Sequence, residues 1–421
     1  MMENLALRRL KSIAGHLQPS ETLTGDLFLN RNPVSSSEKI DDASSPIIIG
    51  GMVLDINAVP NAHPVPGTTT PGKVQYVSGG VARNVAECMS KLGTRPFIIS
   101  VVGLDMAGEL LLKYWKSAGL STEGILKLQG IATPVVSNVY DCSGELAAAV
   151  ASVEAVETFV TPQWIKKFSH KIRSAPMVMV DANLNPLALK AACQLAGEFS
   201  IPLWFEPVSI TKSVRISSII NYITFASPNV NELISMANAL SLNKKFDFIT
   251  KSFQSIETLF QMLKPAICVL LEKGVKVLSV TLGSYGVFLC CTGGPDFINE
   301  ALNRRTASCS SRKLYELVNN NSLANRFHCN TETGMKSSSF AYHFPSLPAS
   351  VVSLTGAGDC LVGGILASIC AGIDLMQSIA VGITVAKAAV EAESNVPAKY
   401  SLTTIKDEAV KIMSSAQPLA F

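Results

Sequence analysis

Several familiar devices are missing from this sequence, and each absence removes a class of function. No apolar run reaches the ~18 to 20 residues that a membrane-spanning helix requires. The longest candidate, Cys360 to Ile373, lies between Asp359 and Asp374, contains Gly363, Gly364 and Gly372, and reads as a buried helix of a soluble protein with no membrane partner. No C-x-x-C pair exists to build a zinc site. The ten cysteines fall at irregular places, mostly inside apolar runs, where a reduced intracellular thiol acts as a small hydrophobe. Charge is scarce: 16% of residues are charged, and 35 Lys and Arg against 32 Asp and Glu leave a formal charge of +3. That balance lacks the basic footprint of a protein that binds nucleic acid polymers. Neither G-x-G-x-x-G nor G-x-x-x-x-G-K-[ST] occurs, which excludes the Rossmann fingerprint and the P-loop. What remains is a chain of 421 residues, 48% apolar, with ample material for a large core.

Residues 1–45 stand apart: 1–17 are basic and leucine-rich, and 18–45 are polar. The fold is expected to begin at Pro46, where Ile47-Ile48-Ile49 meets Gly50-Gly51 as a buried strand entering a turn. Further strands are expected at Phe97 to Val102, Met177 to Val180, Pro202 to Phe205, Tyr222 to Ala226 and Val275 to Leu282. Helices are expected at Ala82 to Leu92, Ala107 to Ala118 and Pro186 to Phe199. Continuous apolar strands alternating with amphipathic helices predict an α/β protein whose mostly parallel sheet is covered on both faces. Such sheets bind ligands beyond the carboxyl ends of their strands, which places Asp55, Asp181, Glu206, Asn229 and Gly283 on one rim. Residues 56–78 and 130–152, rich in β-formers, are expected to pair as a small sheet over that rim. Residues 293–346, polar and Ser/Asn-rich, read as a long surface insertion, at least partly disordered.

Two glycine-rich segments carry the chemistry. In Ser353-Leu354-Thr355-Gly356-Ala357-Gly358-Asp359, small residues open a helix start, so backbone N–H groups and the helix dipole face an anion. Asp359 then sets a carboxylate beside that anion site. Phosphoryl transfer needs this pairing, since charge gathers on the equatorial oxygens while the attacking hydroxyl gives its proton to a general base. Asp is also a common helix cap, and this segment alone leaves both readings open. In Gly79-Gly80-Val81-Ala82-Arg83-Asn84-Val85-Ala86, paired glycines allow close backbone approach to a sugar-like ligand, and Asn84 offers hydroxyls both a donor and an acceptor.

The spacing from Gly79 through Asn84, Ala86 and Gly93 to Gly103 resembles the first signature of the ribokinase-like (PfkB) carbohydrate kinases, and Thr355-Gly356-Ala357-Gly358-Asp359 resembles the second. Asn229-Val230-Asn231-Glu232 is similar to the family's N-x-x-E magnesium motif, and Thr281-Leu282-Gly283-Ser284-Tyr285-Gly286 to its nucleotide-binding turn. The resemblance covers about residues 46 to 410. It implies a ribokinase-like three-layer α/β/α domain over 46–415 with a mostly parallel central sheet and a β-sheet lid made by the two stray segments. It also implies roles: Asp55, Asn57, Gly79, Gly80 and Asn84 bind substrate; Gly356, Ala357 and Gly358 form the anion hole beside the base Asp359. Thr281, Gly283, Gly286 and Thr355 line the ATP site, and Asn229 and Glu232 order Mg²⁺ through water. On residue type alone, Asn229 and Glu232 are equally a strand-end turn and a solvated helix face, and Thr281 to Gly286 an ordinary hairpin turn. Leu354 stands where many members carry Thr or Ser, which bears on the K⁺ site that certain members have. The lid is expected to close over substrate and to serve a homodimer. Within the family, Arg83, Val180-Asp181-Ala182-Asn183-Leu184, Phe205-Glu206-Pro207-Val208-Ser209 and Ser227-Pro228-Asn229 resemble the branch that phosphorylates pseudouridine, particularly its plant type. Ribokinases tend to carry a smaller residue where Arg83 stands. Lys212 would steady phosphate charge, or else be a solvated surface lysine. The alternatives are another sugar or nucleoside kinase of the family (ribokinase, fructokinase or adenosine kinase-like) and a non-catalytic binding subunit.

Arg9-Leu10-Lys11-Ser12-Ile13-Ala14-Gly15-His16-Leu17 has the form R-L-x5-H-L and resembles the amino-terminal peroxisomal signal, an address read by an import receptor. A basic amphipathic presequence and a tail without a role are the rival readings. The end, Pro418-Leu419-Ala420-Phe421, is not of the S-K-L type.

Overall fold

The computed structural model of the chain describes residues 45–65, 67–142, 146–241, 245–249, 254–293, 312–319 and 339–421. The targeting segment and linker read in residues 1–45 lie outside them, residue 45 excepted. The strands in chain order are β1 (Ile47–Ile49), β2 (Val53–Pro60), β3 (Gly72–Gly79), β4 (Phe97–Gly103), β5 (Ile125–Leu128), β6 (Val135–Tyr140) and β7 (Leu146–Ser152), then β8 (Val178–Asp181), β9 (Leu203–Glu206), β10 (Phe225–Ala226), β11 (Val277–Thr281), β12 (Val287–Thr292), β13 (Ser339–Phe344) and β14 (Gln417–Leu419).

Ten of them form one sheet in the order β14-β13-β12-β11-β10-β9-β8-β1-β4-β5. From β11 to β5 every pairing is parallel, and β12, β13 and β14 add an antiparallel edge. Alternation along the strands splits the core into two layers. Ile48, Ile98, Met179 and Trp204 pack on one face with the helices Val81–Lys91, Ala357–Cys370 and Leu375–Val390. Ile47, Ile49, Ile99, Val178, Val180 and Phe205 pack on the other with Pro186–Glu198, Val230–Leu240 and Ile256–Glu272. The predicted three-layer α/β/α architecture is present. The glycines inside the central buried helix have a packing role: a methyl at Gly364 would come within 2.9 Å of the Gly382 Cα, so their small size lets two helices meet backbone to backbone.

Strand order reverses at β1, which lies between β4 and β8. The crevice beyond the carboxyl ends of β1 and β8 is where such a sheet receives ligands. A second sheet, β3-β2-β6-β7, is built from the two segments read as a lid. The register puts Asp55 and Asn57 on one face, in rows with Gln75, Val77, Val136 and Asn138. Ile56 and Ala58 lie on the opposite face with Val74, Tyr76, Val139 and Val150.

Three expectations need correction. Tyr222 to Ala226 is a strand only at Phe225–Ala226, because the chain first makes a 3₁₀ turn over Ile220–Tyr222 with Asn221 in solvent. The surface insertion read over 293–346 ends too late: Ser339–Phe344 is an inner strand, β13, with Ala341, His343 and Phe344 buried. The polar tract before it hides its alternation. Within the same insertion Arg312–Asn319 is a helix that buries Leu314 and Val318, one turn apart. Residues 294–311 and 320–338 lie outside the described residues. Lastly, the domain extends past residue 415, since β14 pairs with β13.

Candidate active site

The helix Ala357–Cys370 starts from Gly356 in the left-handed region (φ 83°), where a side chain would overlap the Asn395 carbonyl. Ser353 Oγ accepts from the Thr355 N–H at 3.2 Å and shapes the approach. Of the first-turn N–H groups, that of Ala357 donates to the Leu354 carbonyl at 3.4 Å, whereas those of Gly358 and Asp359 have no intrahelical acceptor, as at any helix start. A side chain at Gly358 would enter open space, so the turn leaves room for an anion against those donors. Asp359 follows on the same turn, half-buried.

Asp359 Oδ2 accepts a hydrogen bond from Asn84 Nδ2 at 2.7 Å. Asn84 is buried in the helix Val81–Lys91, which begins from Gly80 (φ 93°) and is tied to the first loop by Arg83 N–H to Gly51 O, 3.1 Å. Burial raises the Asp359 carboxyl to about 7. The Asn84 bond opposes the rise, Asp181 and Asp55 add to it, and Arg83 opposes it. A base that titrates near neutrality combines substantial ionisation with useful proton affinity.

Asp55, buried on β2, accepts from Asn395 Nδ2 at 2.8 Å and is raised above its ordinary range, first by burial. Its carboxylate lies where a Gly79 side chain would be, which explains the glycine at the end of β3. Asn57, on the same lid face, accepts from Asn138 Nδ2 at 2.9 Å. Asp181 ends β8 fully buried, taking the Gly51 N–H at 2.8 Å and the Asn183 N–H at 2.9 Å, and burial raises it too. Lys212 is no solvated surface lysine: half-buried, it donates to Asn183 Oδ1 at 2.7 Å, and its charge acts on Asp181.

Glu206 ends β9. Its carboxylate accepts from the Ser227 hydroxyl, which in turn accepts from Trp204 Nε1 at 2.7 Å. Burial pushes Glu206 well above the carboxylate range. Ser227 pulls against this, while Glu232 and Asp359 push further. Two residues on, Val208 sits at φ 67° in a tight turn closed by Ser209 N–H to Pro207 O, 2.7 Å. A β-branched residue in that region stores strain, and such strain gathers at functional sites.

Asn229 and Glu232 form a capping box: Asn229 Oδ1 accepts from the Glu232 N–H and Glu232 Oε2 from the Asn229 N–H, each at 2.9 Å. Glu232 is buried rather than solvated, and burial raises it. Among the described residues no three acidic, His or Cys side chains come close enough to hold a metal ion. The box still leaves Glu232 one oxygen. That suits Mg²⁺ carried by phosphates and water, since this ion keeps much of its water and takes few protein carboxylates. Thr281 ends β11 beside Asn229, with its N–H on Pro228 O at 2.9 Å. Gly283 (φ 60°) and Gly286 (φ 96°) bound a 3₁₀ turn that leads into β12, so the segment is a hairpin turn whatever it binds.

Direct contacts or charge thus join Asp55, Gly79, Asn84, Asp181 and Asp359, while Glu206 couples Asp359 to Glu232. Thr281, Gly283 and Gly286 lie further along the rim, at β11. Asn395 was missed by sequence reasoning. It touches Asp55, 340 positions away, and Ser394-Asn395-Val396-Pro397 carries no motif to flag it.

The profile of the pfkB family carbohydrate kinases matches residues 45–302 and 332–398. The chain is 51% identical to a pseudouridine kinase of Arabidopsis thaliana, over 89% of this chain and 98% of that protein. It is 27% identical to a pseudouridine kinase of Escherichia coli over 44% of this chain and 58% of that one. The structure of Arabidopsis thaliana ribokinase complexed with ribose and ATP superposes with a TM-score of 0.60 at 16% identity, covering 88% of this chain and 98% of that one.

Proposed function

Because this chain belongs to the pfkB family of carbohydrate kinases, we propose that it transfers the γ-phosphoryl group of ATP to the 5′-hydroxyl of pseudouridine. The products are pseudouridine 5′-phosphate and ADP. The observation that carries the choice of substrate is the 51% identity to a pseudouridine kinase across nearly the whole of that protein. The chemistry is supported by the pairing of Asp359 with an open helix start.

Asp55, bridged by Asn395, and Asn84 hold the ribose hydroxyls against Gly79 and Gly80, while the lid face bearing Asn57 and Asn138 covers the base. Asp359 accepts the 5′-hydroxyl proton as the O5′–Pγ bond forms and the bond from Pγ to the β–γ bridging oxygen breaks. The backbone N–H groups of Gly356 to Gly358 at the helix start face the charge that develops on the phosphoryl oxygens. Thr281, Gly283, Gly286 and Thr355 line the nucleotide, and Lys212 adds positive charge on the Asp181 side. Mg²⁺ would be held through water by Glu232, itself fixed by Asn229, and supplies neutralisation of the ATP phosphates. Leu354 brings no side-chain oxygen to the turn, so a K⁺ ion there would be held by backbone carbonyls.

A panel of pseudouridine, uridine, adenosine, ribose and fructose with ATP and Mg²⁺ tests the substrate. Pseudouridine should show the highest kcat/KM, whereas a clear preference for ribose or fructose would defeat the assignment.

The exposed apolar row Val74, Tyr76, Val139 and Val150 on the outer lid face is suited to pairing two copies. Light scattering should then give twice the 44.8 kDa chain mass; the single-chain mass would remove the dimer. Residues 9–17 are proposed to direct the chain to peroxisomes through an import receptor. A reporter fused to residues 1–45 should concentrate there and disperse on His16→Ala; unchanged localisation removes the claim.

A further inference from the structure

Arg83 has no role in the chemistry described so far, yet it is buried beside the base. It is 3% exposed, and its guanidinium makes four contacts. Nη1 donates to Asn84 Oδ1 at 2.9 Å and to the Ser78 carbonyl, at the root of lid strand β3, at 2.6 Å. Nη2 pairs with the buried Glu87 carboxylate one turn along, and the guanidinium lies over the Tyr114 ring at 5.4 Å. Glu87 is held in turn by Lys91 and by the Tyr114 hydroxyl at 2.7 Å.

A side-chain amide can present either end to a neighbour. Asn84 sits between a guanidinium, which only donates, and a carboxylate, which only accepts when ionised. One orientation satisfies both: Oδ1 towards Arg83 and Nδ2 towards Asp359, as observed. The flipped amide would set Oδ1 against a carboxylate and NH₂ against a cation. We infer that Arg83 is a positioning residue for the phosphoryl transfer proposed above: it locks the Asn84 amide as a donor to Asp359, supplies the positive charge facing that carboxylate, and ties both to the root of the lid.

Charges on three strands and one helix act on Asp359. Asp181 and Asp55 push its protonation upward from β8 and β2, Glu206 is coupled to it from β9, and Asn84 and Arg83 oppose them from one helix. Removing Arg83 leaves the base among carboxylates with a freely flipping amide. Less of it is then ionised at neutral pH.

The test uses the full chain with Arg83→Gln, Arg83→Lys and the double variant Arg83→Gln with Glu87→Gln. The double variant removes both charges, so that no buried carboxylate is orphaned if Arg83→Gln alone fails to fold. Two readouts are taken: kcat and KM for pseudouridine against pH, and the Asp359 carboxyl midpoint by ¹³C NMR, with Asp359→Asn identifying the signal. In Arg83→Gln the midpoint and the acid limb of kcat should both move up by about half a pH unit or more, and in the double variant by less, because the Glu87 charge leaves with that of Arg83. At pH 7, kcat should fall about tenfold with KM for pseudouridine within about threefold. Arg83→Lys should restore the midpoint while recovering kcat only in part, since an ammonium lacks the planar fork. An Asp359 midpoint unmoved in Arg83→Gln, or, should that variant not fold, a kcat unchanged in the folded double variant, overturns the inference. A wild-type enzyme that ignores pseudouridine overturns the substrate instead, because the NMR midpoint needs no turnover.

Discussion

Asp359→Asn is expected to lower kcat about a thousandfold, within the range a positioned general base contributes, with little change in KM for the nucleoside. Asn is nearly isosteric, and its Oδ1 can still accept from Asn84. What it cannot do is take the hydroxyl proton. The same substitution should stabilise the fold, and the sign follows from the titration. The Asp359 carboxyl is raised from 3.8 to about 7, so the folded chain binds this proton more tightly than the unfolded chain does. Its contribution to stability is therefore largest at low pH, declines as pH rises past the unfolded value, and is fully lost above about 7. Asn carries no such penalty. The Tm gain of Asp359→Asn over wild type should grow between mildly acidic and mildly alkaline buffer. Activity within tenfold of wild type, or a Tm gain that shrinks with rising pH, would contradict the assignment.

The second large effect is expected from Gly356→Ala. The residue sits at φ 83°, and its Cβ would overlap the Asn395 carbonyl oxygen, a backbone atom that cannot rotate away. The left-handed conformation costs alanine ~1–2 kcal/mol and the overpacking about as much again, for a loss of about 2–4 kcal/mol in stability. Displacing Asn395 also loosens the bridge to Asp55, so both ends of the site move. Activity should fall about a hundredfold or more, as for other sub-ångström to ångström misplacements of catalytic groups. Gly358→Ala separates the two causes. Its Cβ would meet nothing of the protein, so stability should hold while the space for the phosphate is lost. Denaturant melts and ATP kinetics of both variants give the comparison. Equal stability losses at the two positions would mean that the turn is merely structural.

Much of this arrangement was legible because it is local in the chain. Strands β8 and β9 are apolar runs that end at Asp181 and Glu206, and Asn229 follows β10 at the next helix start, so all three could be placed on the rim from pattern alone. The glycine turn before Asp359 carries its own signature, and both lid segments declared themselves by β-formers between turns. What escaped depends on contacts far apart in sequence. Asn395 belongs to the site only because the segment after the Leu375–Val390 helix folds back under the anion turn. Strand β13 follows a long polar tract, and its pairing with β12 and β14 is set by the fold. Arg83, Glu87 and Lys91 are an intermediate case. Their spacing of four was visible on one helix face, but an i,i+4 ladder usually lies in solvent, and only the packing of Tyr114 and the lid root buries this one.

The most direct measurement is the pH dependence of kcat/KM for pseudouridine phosphorylation at saturating ATP and Mg²⁺. With a single carboxylate of raised pKa taking the hydroxyl proton, the rate should climb tenfold per pH unit in acid and level off through about 7. A rate already level at pH 5, where a carboxyl titrating near 7 would be almost wholly protonated, would show that Asp359 is not the base.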